Sequence, residues 1–89
     1  MKPVIITLVD RQNHVQYDLE LPVDVRINDL LDDVIQTLNS SDGYYRRQPE
    51  YMEFFAPRMN RVLDRRRTLW EEAVWNGDYL YLRNSARDD

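Results

Sequence analysis

One histidine, three clustered aspartates and eleven arginines are the side chains of this sequence that could do chemistry. Catalysis by His14 would need a nucleophile or a carboxylate held against it. The histidine lies instead in the polar stretch "RQNH", which reads as an exposed turn. Asp29, Asp32 and Asp33 could hold a hard cation, but they lack the alternate-position ligands and the glycine of a calcium loop. With only two glycines, the chain has no Gly-rich phosphate cradle. It has no cysteine, so neither a thiolate metal site nor a disulfide can form. No catalytic residue, cofactor or metal is expected.

The arginines point to recognition. "RR" at 46–47 and "RRR" at 65–67 lie near aromatic residues in "YYRR" and "YMEFFAPR". Interleaved arginines and aromatics can stack on bases. Residues 46–67 carry seven arginines against Glu50, Glu53 and Asp64, net +4. The chain as a whole carries −4, and its isoelectric point is near 4.9. A nucleic-acid binder usually has a strongly basic footprint, so nucleic acid is the disfavoured partner. Pairing with Asp64, Glu71 and Glu72, simple solubilising charge, or contact between some of these arginines and a protein are the other readings.

A single domain must position these residues. A chain of 89 residues suits one domain, which buries about 60–65% of its unfolded surface and is marginal in stability. Absent cysteines favour an intracellular setting. No apolar run approaches the roughly 20 residues needed to span a bilayer, and "MKPVIITLVD" lacks the core of a signal peptide. A cytoplasmic protein is expected. Residues 1–45 are net −5, whereas residues 46–89 are net +1. The surface should therefore be dipolar.

The hydrophobic period marks the elements. "PVIITLVD" is a β-branched run that places Val4, Ile6 and Leu8 on one face. "VQYDLEL" alternates Val15, Tyr17, Leu19 and Leu21 against Gln16, Asp18 and Glu20, a half-buried strand. The two form a hairpin, ended by Pro22. In "INDLLDDVIQTLN", residues 27–39, the spacing of Ile27, Leu30, Leu31, Val34, Ile35 and Leu38 becomes helical. Asp29, Asp32 and Asp33 fall on the other face and early in the helix, where the macrodipole favours negative charge. "NSSDG" stops the helix at Gly43. "YYRRQPE" is a loop, "YMEFFAP" a third strand, "RVLD" a short fourth, "RTLWEEAV" one turn of helix or 3₁₀, and "DYLYLR" the last strand. The order β-β-α-β-β-β, with one helix on one face of a mixed sheet, is the α+β architecture of the β-grasp.

One helix covers one face of the sheet and leaves the other open. If Met52, Phe54, Leu80 and Leu82 point at the helix, the open face carries Tyr51, Phe55, Tyr79, Tyr81 and Arg83. Tyrosine and arginine are enriched at interface hot spots, and exposed apolar patches mark contact sites. Cross-strand aromatics also stabilise a sheet in their own right. The expected partner-binding set is Tyr51, Phe55, Tyr79, Tyr81 and Arg83, joined by Arg46 and Arg47. Trp70 and Trp75 are expected to be core plugs or rim residues.

The segment "RVLDRRRTLWEEAVWNGDYLYLR" resembles the closing part of the ubiquitin-like β-grasp. Thr68-Leu69 matches the pair that opens its small helical turn, and Val74 the core plug. Asn76-Gly77-Asp78 matches the turn, and Leu80 and Leu82 the inward residues of the last strand. "YDLELPVDVRINDLLDDVIQTL" matches the second strand, proline loop and helix. The pairing of this stretch with "NGDYLYL" is most similar to the small cytosolic ubiquitin-like proteins of bacterial type VII (WXG100) secretion systems, the YukD/EsaB family. Larger members carry the domain ahead of membrane spans.

The resemblance implies a ubiquitin-like domain over residues 1–83 with a polar tail at 84–89. It also implies a non-enzymatic accessory or regulatory role on the cytosolic side of the secretion machine. The implied partner is the cytosolic part of a membrane component. The chain would be recruited to the inner face of the membrane without inserting in it. Conjugated relatives end in Gly-Gly, whereas this tail reads "NSARDD", and Lys2 is the one lysine. Conjugation and chain building through lysine are not expected.

Overall fold

The computed structural model describes residues 1–11, 14–42 and 47–85, residues 41 and 42 by their backbone alone. Among these described residues, five strands and one helix follow in the order β1 (Val4–Asp10), β2 (Val15–Leu21), α1 (Ile27–Asp42), β3 (Met52–Ala56), β4 (Arg61–Val62) and β5 (Tyr79–Asn84), with a 3₁₀ turn at Pro49–Tyr51 before β3. The strands form one sheet in the order β2-β1-β5-β3-β4. β1 and β5 run parallel at its centre, and the other neighbours are antiparallel. This is the expected mixed sheet with a single helix.

Alternation accounts for the core. Ile6 and Leu8 of β1, Met52, Phe54 and Ala56 of β3, and Leu80 and Leu82 of β5 are all buried. They meet Ile27, Leu30, Leu31, Val34, Ile35 and Leu38 of α1 in one cluster. Each strand thus turns one face to the helix. Asp29, Asp32 and Asp33 are exposed, as the helical spacing requires.

The helix runs three residues past its expected end at 39. The polar side chains there are satisfied without breaking it. Ser40 Oγ donates to the Gln36 carbonyl at 2.9 Å. Asn39 Oδ1 accepts the Arg47 N–H at 3.0 Å, and its amide donates to the Arg47 carbonyl at 2.9 Å. Asn39 therefore anchors the returning chain. Gly43, the expected stop, lies outside the described residues.

The segment "TLWEEAV" is a single helical turn closed at both ends. Thr68 and Glu71 form a capping box. The Glu71 N–H donates to Thr68 Oγ1 at 3.1 Å, and the Thr68 N–H to Glu71 Oε1 at 3.0 Å. The exit is a Schellman motif, in which the Ala73 N–H reaches the Trp70 carbonyl and the Val74 N–H the Leu69 carbonyl, at 3.1 and 3.0 Å. Ala73 takes the left-handed conformation, φ 61°. The motif brings its flanking apolar pair inward, so Leu69 and Val74 are both buried. Trp70 and Trp75 point outward and are 65% and 61% exposed. Both tryptophans are rim residues, and neither plugs the core.

The "NGD" turn then docks on β1. Asn76 Oδ1 accepts the Ile5 N–H, and the Gly77 N–H donates to the Ile5 carbonyl, both at 2.8 Å. Gly77 has φ 86°, a conformation that favours glycine. Arg58 secures the turn from the other side. Its guanidinium clamps Asp78 at 2.7 and 2.9 Å, reaches the Ala73 carbonyl at 2.7 Å and stacks 4.0 Å over the Trp75 ring. The hydrogen bonds from Arg58 hold the Asp78 carboxyl below its ordinary pKa, against the opposing push of burial.

β5 extends one residue beyond the expected boundary at 83. Asn84 pairs with Met52. The Ser85 N–H and Oγ both donate to the Tyr51 carbonyl, at 2.6 and 2.9 Å. Only residues 86–89 then remain as candidates for a dispensable tail. Deleting 86–89 is expected to leave the thermal midpoint unchanged, whereas deleting 84–89 should lower it by a few degrees. Two or three backbone-type hydrogen bonds at ~0.5–1.5 kcal/mol each are lost in the longer deletion. Equal midpoints for the two truncations would show that Ser85 contributes nothing to the fold.

Candidate protein-binding face

The register assembles the open face row by row. Across it lie Gln16, Val9, Tyr81, Phe55 and Val62, each paired with the next through adjoining strands. A second row is Asp18, Thr7 and Tyr79, and a third pairs Arg83 with Glu53. The Phe55 and Tyr81 rings lie 6.2 Å apart, tilted by 36°. The Arg83 guanidinium stacks over Phe55 at 4.4 Å and bonds Glu53 at 2.8 Å. Arg11 stacks over Tyr81 at 5.6 Å. Each aromatic ring of the pair thus carries its own guanidinium, which orders the surface and leaves both rings half-buried.

Four of the expected residues, Phe55, Tyr79, Tyr81 and Arg83, therefore lie side by side on β3 and β5. Tyr79 is 50% exposed and Tyr51 49%. Tyr51 stands in the 3₁₀ turn just before β3 and not in the strand itself. The reason is Pro49, which suits a 3₁₀ start and offers no N–H to a ladder.

Arg47 is a correction. Its guanidinium is buried and pairs with Asp10 at 2.6 Å. A second bond, from Nε to the same carboxylate, measures 3.0 Å. Breaking such a buried pair costs about 3–5 kcal/mol, so Arg47 ties the helix exit to β1 and is not offered to a partner. Arg46 lies outside the described residues.

The second arginine run is also occupied within the fold. Arg65 donates to Asn28 Oδ1, to the Pro49 carbonyl and to the Met52 carbonyl at 2.7–3.1 Å, joining helix, 3₁₀ turn and β3. Arg66 pairs with Asp64 at 3.3 Å. Arg61 and Arg67 converge on the buried Glu72 at 2.6 and 3.4 Å. Burial pushes the Glu72 carboxyl up, but the Asp64 N–H and the two arginines together hold it below its ordinary pKa. Internal pairing is one of the sequence readings of this cluster, and these contacts are of that kind. His14 is exposed and adopts φ 58° in its turn. No group of three or more His, Asp or Glu among the described residues is placed to hold a metal ion.

Sequence reasoning missed Ile5, Val62 and Arg11 as members of the face. Ile5 is 55% exposed and Val62 39%. The signal for Ile5 was present, because alternation that sends Val4, Ile6 and Leu8 one way sends Ile5 the other. Val62 had no such signal, since a two-residue strand has no period.

Residues 4–82 match the family described as WXG100 protein secretion system (Wss), protein YukD. The chain belongs to the YukD family. It is therefore a ubiquitin-like component of a type VII secretion system. No curated protein matches this YukD-family chain in sequence. Among solved structures, the EccD5 ubiquitin-like domain from Mycobacterium xenopi superposes with TM-score 0.76 and 17% identity, over 100% of this chain and 99% of that one. Caldiarchaeum subterraneum ubiquitin gives 0.72 and 17%, over 98% and 96%. A chain of the MycP5-free ESX-5 inner membrane complex gives 0.78 and 18%, but this chain spans only 22% of it. These likenesses show the ubiquitin-like fold. No helix among the described residues is long and apolar enough to cross a membrane.

Proposed function

We propose that this YukD-family protein is a non-enzymatic, non-conjugated adaptor. It acts on the cytosolic side of a type VII secretion machine and docks through the open face of its sheet on the cytosolic part of a membrane component. The observation that carries the reading is the ordered aromatic face of Phe55, Tyr79 and Tyr81 with the stacked Arg83. Such an arrangement combines the residue types that dominate interface energetics. The family supports the secretion setting. The structural likeness to a chain of the ESX-5 inner membrane complex supports a membrane component as partner. Ubiquitin-like domains of this family are typically without catalytic activity.

The test is co-purification of the tagged chain with detergent-solubilised membranes of its own cells. A secretion membrane component should be retained at 0.5 M salt, because burial of aromatic surface resists screening better than charge does. Recovery of the chain covalently joined to other proteins would reject the non-conjugated reading. The rival reading is an arginine-patch nucleic-acid regulator on the same fold. It requires oligonucleotide binding that weakens steeply as salt rises. The internal pairing of Arg47, Arg65, Arg66 and Arg67 weighs against it.

A further inference from the structure

The two edges of the sheet differ. One is β4, two residues long. The other is β2, a seven-residue strand paired on its β1 side by an unbroken register from Val15 to Leu21. No other strand among the described residues covers its outer side. An uninterrupted edge of this length is a template for another strand unless something blunts it. β2 contains no proline, and its register contains no bulge.

Beside that edge runs an apolar groove between β2 and α1. Leu19, Leu21, Val34 and Leu38 line it, with Thr37 and Asp33 at the rim. Its volume is about 220 Å³, below the roughly 300–1,000 Å³ of small-molecule sites. That space suits one or two aliphatic side chains and not a cofactor. Free backbone groups and a side-chain slot in one place are the two requirements for adding an extended peptide to a sheet.

Charge selects the occupant. Gln16, Asp18 and Glu20 are exposed on the other face of β2, and Asp33 rims the groove. In a second copy paired antiparallel through β2, the carboxylates of the two strands would face each other. Like charges directly opposite on neighbouring strands are destabilising. A strand bearing lysine or arginine on that face would meet Asp18 and Glu20 favourably. The geometry points to a peptide-docking edge: β2 takes up an extended segment of another protein that alternates aliphatic and basic side chains. Its aliphatic side chains enter the groove under α1, and its basic ones face Asp18 and Glu20. The site is centred on the β2 edge and its groove, and it shares the open face with the aromatic pair of β3 and β5 without using that pair.

The test uses the whole chain and a nine-residue, fluorescein-labelled peptide alternating valine and lysine, followed by fluorescence anisotropy. Saturable binding is expected, with backbone amide shifts confined to β2 and the facing turns of α1. A valine–glutamate peptide should bind at least tenfold more weakly. So should the valine–lysine peptide N-methylated at the positions facing β2. Thr37→Arg, at an exposed helix position over the groove, should weaken binding at least tenfold, and Glu20→Lys should reverse the charge preference. Tyr81→Ala should change nothing, which separates this site from the aromatic face. Any one of three results would overturn the proposal: no saturable binding at millimolar peptide, equal affinity for the two peptides, or indifference to N-methylation and Thr37→Arg. Protection of the β2 amides by self-association without peptide would assign the edge to a second copy instead.

Discussion

Leu31→Asp and Leu82→Asp are each expected to leave no cooperatively folded domain. Leu31 is fully buried on the sheet side of α1, and Leu82 is 3% exposed at the centre of the sheet. An aspartate at either place puts a carboxylate into the apolar core cluster that also holds Ile6, Leu8, Phe54 and Leu80. The effective cost of an unpaired buried ion is several kcal/mol. Lost packing of the leucine adds to it, about 2–5 kcal/mol for truncation alone. A small domain has on the order of 5 kcal/mol to lose. Ile5→Asp makes the same chemical change one residue from Ile6, but on the exposed face, and should shift the midpoint by only a few degrees. Thermal melts followed by circular dichroism decide the matter. A cooperative transition near the wild-type midpoint for Leu31→Asp or Leu82→Asp would mean that the strand or helix faces outward there.

The contrast between Ile5 and Ile6 also shows why the fold was legible in the sequence. Burial in β1, β2, β3 and β5 follows period two, and in α1 it follows helical spacing, so pattern alone sorts the inward residues. The "TLWEEAV" turn was legible for a different reason. Its capping box is a local motif, and its closing pair, Leu69 and Val74, is apolar. For Trp70 and Trp75 the sequence left core plug and rim both open, and the rim is where they sit, because a single turn has room for only its two inward positions. Arg58 on Trp75 shows what replaces burial: a stacked guanidinium 4.0 Å from the ring.

Arg47 and Arg65 mark the limit more sharply. In the sequence both belong to runs of arginine, and runs suggest a shared role. In the fold the described arginines of these runs have separate partners. Arg47 meets Asp10, 37 positions away, and Arg65 meets Asn28 at the same separation. Pairings of that range leave no trace in composition or period. The proposed partner-binding set therefore loses Arg47, and Phe55, Tyr79, Tyr81 and Arg83 are the members whose side of the sheet alternation assigns.

Those residues carry the second large effect. Tyr81→Ala combined with Arg83→Ala is expected to abolish partner retention and secretion activity while leaving the fold intact. Tyr81 is half-buried and Arg83 exposed, and neither belongs to the core cluster. Their loss removes the Tyr81 contact with Phe55 and the Arg83 bond to Glu53. On the folding side this costs about 0.2–1 kcal/mol for each cross-strand pair. On the binding side, truncating one hot-spot residue costs about 2 kcal/mol or more, roughly 30-fold in affinity. The effect on binding should thus exceed the effect on folding severalfold. Asp32→Ala, on the exposed side of α1, is the control and should retain the partner. The measurement is retention of a solubilised membrane component on each immobilised variant, with circular dichroism confirming the fold. Retention by Tyr81→Ala/Arg83→Ala together with loss by Asp32→Ala would move the docking surface to the helix side. Loss by both would mean that the partner spans the edge from one face to the other, across β2 or β4.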